Sequence, residues 1–88
     1  MGEVLAILKI MPENVDIKPE HLKERIEERL SKIRIVGYEE EPIAFGLTAL
    51  KVSVVVEDKE GGISEVEEEI KKIEGVGEID VVHLSRCL

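Results

Sequence analysis

Ala49-Leu50-Lys51-Val52-Ser53-Val54-Val55-Val56 is the stretch on which the fold turns. Successive side chains of a strand point to opposite faces, so Leu50, Val52, Val54 and Val56 share one face. Ala49, Lys51, Ser53 and Val55 share the other. Branched valines suit a pleated, packed surface. A strand with apolar residues on both faces belongs in the middle of a sheet. The start of the chain repeats the pattern: Val4, Ala6, Leu8 and Ile10 alternate with Glu3, Leu5, Ile7 and Lys9. These two runs are therefore expected to be the central strands.

The rest arranges itself around them. Pro12 ends the first run, and Met11 to Lys18 reads as a loop. Pro19 suits the first turn of a helix, where its missing N–H has no bond to lose. Leu22, Ile26 and Leu30 recur every four residues and form a buried stripe. Lys23/Glu27 and Glu28/Lys32 are spaced to pair on the outer face, each worth about 0.3 kcal/mol. Ile33 to Tyr38 reads as a short strand, followed by a turn at Pro42–Gly46. Beyond the third strand, Asp58 to Gly62 is a turn. Ser64-Glu65-Val66-Glu67 has the form of a capping box opening a second helix. That helix turns Val66, Ile70 and Ile73 inward, spaces Glu67/Lys71 and Glu68/Lys72 for ion pairs, and ends at Gly75. Val76 to Ser85 is the last strand, with Ile79 and Val81 on one face and Val82 and Leu84 on the other.

The order β-α-β-β-α-β fits an α+β ferredoxin-like sandwich, a four-stranded antiparallel sheet with two helices on one face. Right-handed crossovers place the first and third strands in the centre, in agreement with the apolar patterns. At 88 residues the chain is expected to be one domain spanning residues 1–88.

Composition narrows the partners. Twenty acidic residues against twelve basic give a net charge of -8. Phosphate backbones and anionic membranes would repel such a chain, so nucleic acid and membrane are not expected as direct partners. No apolar run is long enough to span a bilayer, and no signal-peptide pattern is present. The single Cys87 has no internal disulfide partner, which suits a reducing cytoplasm. The absence of Gln, a single Asn and the abundance of Glu, Lys and Ile suggest a thermophile.

Chemistry is scarce. Cys87, Ser53, Ser64 and Ser85 are the candidate nucleophiles, with His21 and His83 as candidate bases, and no pairing among them is evident. No catalytic residue is expected. His83 and Cys87 would stand about 13 Å apart along a strand, and no CxxC occurs, so neither metal nor cofactor is expected. Gly61-Gly62 precedes a helix but lacks a phosphate-binding lysine. Sheet-borne aromatics for RNA are missing, since Tyr38 is the only tyrosine. The open face (Leu5, Ile7, Lys9, Ala49, Lys51, Ser53, Val55) is mostly apolar and reads as a docking face or dimer interface.

One side chain stands out. Phe45 is the only Phe, and it sits in the turn Glu41-Pro42-Ile43-Ala44-Phe45-Gly46-Leu47. Pro42 stiffens that turn, and Gly46 permits backbone angles that other residues avoid. Composition favours Phe45 as a cap on one end of the core, since most large apolar residues are buried; the rigid turn offers the other reading, a ring held out for a partner.

Pro42-Ile43-Ala44-Phe45-Gly46-Leu47, then Ala49-Leu50-Lys51-Val52 and Val54-Val55-Val56-Glu57-Asp58, resembles the archaeal elongation factor 1-beta family. The opening strand, ending Lys9-Ile10-Met11-Pro12, is similar to archaeal members as well, and the likeness covers nearly the whole chain. The resemblance implies a ferredoxin-like exchange domain whose partner is elongation factor 1-alpha, a GTPase. It implies that the turn docks on that partner through Phe45, with Pro42, Ile43 and Gly46 shaping it. It also implies a basic residue near the C-terminus that reaches the partner's magnesium and phosphate site. Arg86 falls at that position, and a one-residue slip would put Cys87 there. Two readings of another class remain beside it: a ligand-binding regulatory module of the same fold, and an adaptor that dimerises through the open face.

Overall fold

The two strands with apolar residues on both faces pair with each other. In the computed structural model, which describes residues 2–59 and 61–87, β1 (Glu3–Pro12) runs antiparallel to β3 (Thr48–Glu57). Ala6 stands opposite Val54, Leu8 opposite Val52 and Ile10 opposite Leu50. β2 (Arg34–Pro42) and β4 (Val76–Cys87) flank this pair in the order β2-β3-β1-β4, all neighbours antiparallel. The helices α1 (Pro19–Arg29) and α2 (Gly62–Lys71) cover one face. This is the ferredoxin-like architecture, with the first and third strands central as expected.

The core lies between the sheet and the helices. Ala6, Leu8, Ile10, Val52 and Val54 meet Leu22 and Ile26 of α1 and Val66 and Ile70 of α2, all essentially without solvent contact. Leu30 and Ile73 close the two stripes. Pro19 occupies the first turn of α1, and the Leu30 N–H closes its end on the Ile26 carbonyl at 2.8 Å.

Two strand ends shift: β1 runs on through Met11 and Pro12, where a loop was expected, and β4 continues past Ser85 to Cys87. Four further local details differ from the sequence-based expectation. β2 continues to Pro42, because β3 offers it partners there: Glu39 faces Lys51 and Glu41 faces Ala49. An edge strand tolerates a terminal proline. Next, α2 begins at Gly62, and Ser64 caps nothing. Gly61 is the N-cap, in the left-handed conformation (φ 83°), and the Glu65 N–H donates to its carbonyl at 2.9 Å. A Cβ on Gly62 would come within 3.1 Å of the Glu57 carbonyl, a tight contact that glycine avoids as the chain turns off β3. Glu60, within the expected turn, lies outside the described residues.

Third, none of the four expected i,i+4 ion pairs is formed among the described residues. Lys23 lies over the Tyr38 ring, 4.8 Å from its centroid. Arg29 instead reaches across to Glu69 of α2 (3.2 Å), which also holds Lys72 (3.0 Å). Pairs worth only tenths of a kcal/mol yield readily to other partners, as Lys23 does to Tyr38 and Lys72 to Glu69.

The fourth difference is a β-bulge in β4. Ile7 pairs with His83 but Leu8 pairs with Val81, which leaves Val82 as an extra residue. Ile79 and Val81 share the helix face, as expected. After the bulge the phase inverts, so Leu84 also falls on the helix face, opposite Ala6. Its expected placement beside Val82 is thereby corrected.

Removing the centre of the β1–helix contact should cost the most. Leu8→Ala is expected to destabilise the fold by about 2–5 kcal/mol in urea denaturation.

Candidate functional site

The hairpin turn between β2 and β3 is closed by its own backbone. The Ile43 N–H donates to the Leu47 carbonyl at 2.7 Å, and Ala44 to Gly46 form one tight helical turn. Inside it Phe45 has φ 63° and ψ 30°, and Gly46 follows with φ 77°. Phe45 is the only described non-glycine residue with positive φ. Two left-handed residues in succession throw the ring outward, and Phe45 is 93 % exposed. It caps no part of the core. Pro42, Ile43 and Gly46 belong to the same turn.

Val15, in the loop after β1, joins this tip. Its Cγ1 would lie 3.6 Å from a Cβ on Gly46, and Val15 is 48 % exposed. Sequence reasoning passed over it as a loop residue; an apolar side chain among Glu13, Asn14 and Asp16 was the available signal.

An ionic clamp braces the base of the turn. Lys9 and Lys51 stand directly opposite each other on β1 and β3, an unfavourable like-charge pair by itself. Glu41 of β2 bridges them, with one carboxylate oxygen 2.8 Å from Lys9 Nζ and the other 3.0 Å from Lys51 Nζ. Hydrogen bonds from Lys9 and then Lys51 hold the Glu41 carboxyl below its ordinary range. The Glu41 carboxylate in turn raises Lys51. Glu41 immediately precedes Pro42, so the clamp fixes the strand end from which the Phe45 turn springs.

Arg86 lies at the other end of the sheet. It pairs with Val4, and its Nε sits 3.2 Å from Asp58 Oδ2 in the turn that leaves β3. The Cys87 backbone pairs with Glu3, while its side chain lies outside the described residues. Phe45 and Arg86 are thus not brought together. At about 3.3 Å per strand residue they stand about 30 Å apart, along a molecule whose longest dimension is 42 Å.

Between them runs the open face of the sheet. Leu5, Ile7, Lys9, Lys51, Ser53 and Val55 are half-buried there, and Ala49, opposite Glu41, is fully buried. Val82 and His83 add to a shallow depression of about 390 Å³. Tyr38 is absent from this face: it packs against the core beside α1, and burial above all, then the Glu27 charge, pushes its hydroxyl up to about 12. His83 Nε2 lies 3.1 Å from Ser85 Oγ, but no carboxylate orients the ring among the described residues. No group of three metal-ligating side chains occurs among the described residues, and no described helix is long and apolar enough to cross a membrane.

Comparison with known proteins gives this geometry its context. Residues 5–87 match the EF-1 guanine nucleotide exchange domain. Elongation factor 1-beta of Methanothermobacter thermautotrophicus is 47% identical over 89 aligned residues that cover all of both chains. The proteins of the same description from Aeropyrum pernix and Methanococcoides burtonii are 47% and 49% identical, each alignment covering 98% of both chains. Among solved structures, the C-terminal domain of the MgtC protein from Mycobacterium tuberculosis superposes with a TM-score of 0.62 at 15% identity. That superposition covers 98% of this chain and 88% of the other, and the likeness is one of fold alone.

Two outcomes test the tip. Phe45→Ala is expected to leave the thermal unfolding midpoint within a few degrees of wild type, because an exposed ring contributes little to the core. The Glu41 clamp should be intact above pH 4.5 and lost as the pH falls through the depressed carboxylate value. Glu41→Gln should therefore lower the midpoint at pH 7, and the gap to wild type should close in acid.

Proposed function

We infer what these two ends do from one premise: the chain belongs to the EF-1 guanine nucleotide exchange family and is a translation elongation factor that promotes nucleotide exchange. The partner implied is an elongation-factor GTPase, which we identify as elongation factor 1-alpha. In this proposal residues 1–88 act as one exchange domain, with Phe45, Pro42, Ile43 and Gly46 as one contact and Arg86 and Cys87 as the other. The chain performs no covalent chemistry.

The mechanism is a matter of linkage. A partner that binds the nucleotide-free GTPase better than the nucleotide-bound form weakens nucleotide binding by the same factor. A magnesium ion at the GTPase's nucleotide site would supply the positive charge that helps to hold the phosphates. The Arg86 guanidinium, brought to that site, competes for the charge that holds the metal. Phe45, seated on a second part of the GTPase, fixes the exchange factor in place while it does so. The chain's own net charge of -8 favours encounter with a basic surface, and that encounter slows with salt.

Phe45 supports this reading most. A left-handed conformation costs a residue of this type about 1–3 kcal/mol, and an exposed ring returns nothing to the fold. Such strain at an exposed aromatic is offset by contact with something else, and aromatic anchors of this kind dominate protein interfaces.

The test is release of a fluorescent GDP analogue from elongation factor 1-alpha, with and without the chain. The intact chain is expected to accelerate release. Phe45→Ala and a truncation that removes residues 86–88 should each reduce the acceleration by about tenfold, the loss of one anchor contact. If the intact chain leaves the release rate unchanged, the exchange mechanism proposed here is wrong. If only the truncation stays fully active, Arg86 and Cys87 leave the mechanism and Phe45 keeps its place.

A further inference from the structure

We propose that the Val82 bulge and Asp58 together determine where Arg86 is presented, which makes Asp58 a positioning residue for nucleotide exchange. The proposal rests on the exchange reading above for its functional consequence, and on the sheet geometry for everything else.

The register carries the first half. From Ile79 to Val81, odd-numbered residues of β4 face the helices: Ile79 lies opposite Ile10 and Val81 opposite Leu8. A regular strand would continue that phase, placing Arg86 on the open face opposite Glu3. The extra residue at Val82 inverts the phase, so Arg86 stands opposite Val4 instead. Bulges re-aim side chains in this way. Leu84 is carried over with it and remains 59 % exposed. Leu84 and Arg86 thus form one presented edge, an apolar group beside a cation.

Asp58 carries the second half. It is itself anchored, since its N–H donates to the Gly2 carbonyl at 2.9 Å. Its carboxylate meets Arg86 Nε at 3.2 Å, while the Arg86 side chain as a whole stays 80 % exposed. A pair this exposed adds little to folding stability. What it supplies is direction: a long side chain that would sample many rotamers is held near one. The pair is also weak enough to yield when a more strongly charged site arrives. The guanidinium is therefore aimed without being trapped.

Two measurements test this together. The first is the Arg86 Nε–H resonance of the free chain. It is expected to be shifted and protected in the wild type, and to move to the position of a solvated arginine in Asp58→Asn. An unchanged resonance overturns the positioning role, whatever the chain does to a GTPase. The second is a double-mutant cycle in the GDP-release assay. Asp58→Ala alone should slow exchange about threefold, on the scale of a surface ion pair, and Asp58→Glu should restore part of it. In the Arg86→Ala background Asp58→Ala should change nothing further. Multiplicative losses would mean that Asp58 acts on its own and would overturn the proposal. Deletion of Val82 should reduce exchange to the Arg86→Ala level with the fold retained by circular dichroism; wild-type exchange in a folded deletion variant overturns the role of the bulge. If Arg86→Ala exchanges like wild type while the resonance shifts as expected, the positioning stands and it is the part assigned to Arg86 in exchange that fails.

Discussion

The pairing of β1 with β3 is the interaction on which everything else in this chain depends. It joins the two strands that are apolar on both sides, so one pairing sets both the floor of the core and the open face. On the helix side it lines up Ala6, Leu8 and Ile10 with Val54, Val52 and Leu50, and the stripes of both helices close over that row. On the other side the same register places Lys9 against Lys51 and creates the like-charge rung that Glu41 resolves. A slip of one residue would send the core side chains to solvent and dissolve the clamp together. The hydrophobic pattern that fixes the fold therefore also fixes the base of the Phe45 turn.

How far this could be read from residues alone depended on range. The central strands were legible because alternation is a local signal and both runs are long. The helix stripes were legible for the same reason. The start of α2 was not: Ser64-Glu65-Val66-Glu67 has a good local capping pattern, and it loses to the tight exit past the Glu57 carbonyl that the left-handed Gly61 and the close approach at Gly62 favour. The bulge was hidden because Val81 and Val82 are both apolar, so either phase of β4 looks acceptable. Only pairing with β1 shows where the extra residue falls. The Glu41 clamp was hidden for a related reason, since its three members are separated in sequence and meet only across strands.

The candidate site was partly legible. The turn around Phe45 drew attention through its proline, glycine and solitary aromatic, but composition favoured a core cap, since most large apolar residues are buried. Backbone geometry decides it, with the left-handed angles at Phe45 and Gly46 throwing the ring into solvent. Arg86 came from family likeness, and its partner Asp58 came from neither pattern nor likeness. Both ends owe their geometry to departures from regular structure: a strained turn at one, an inserted residue at the other. A sheet that was regular throughout would offer neither.

The separation of those ends has a consequence of its own. A stiff sheet that holds two contacts about 30 Å apart behaves as a caliper. Each contact alone is weak, but once one is made the other is presented at high local concentration, as in a chelate. That gain exists only while the two receptor points on the partner keep the matching distance. On the proposed reading, a GTPase that changes shape between its nucleotide states alters that distance, and a gap of one strand residue is enough to disengage one jaw. The rigid span would then tell one state of its partner from another by length, and release would follow from the partner's own motion, with no flexible part needed in the exchange factor.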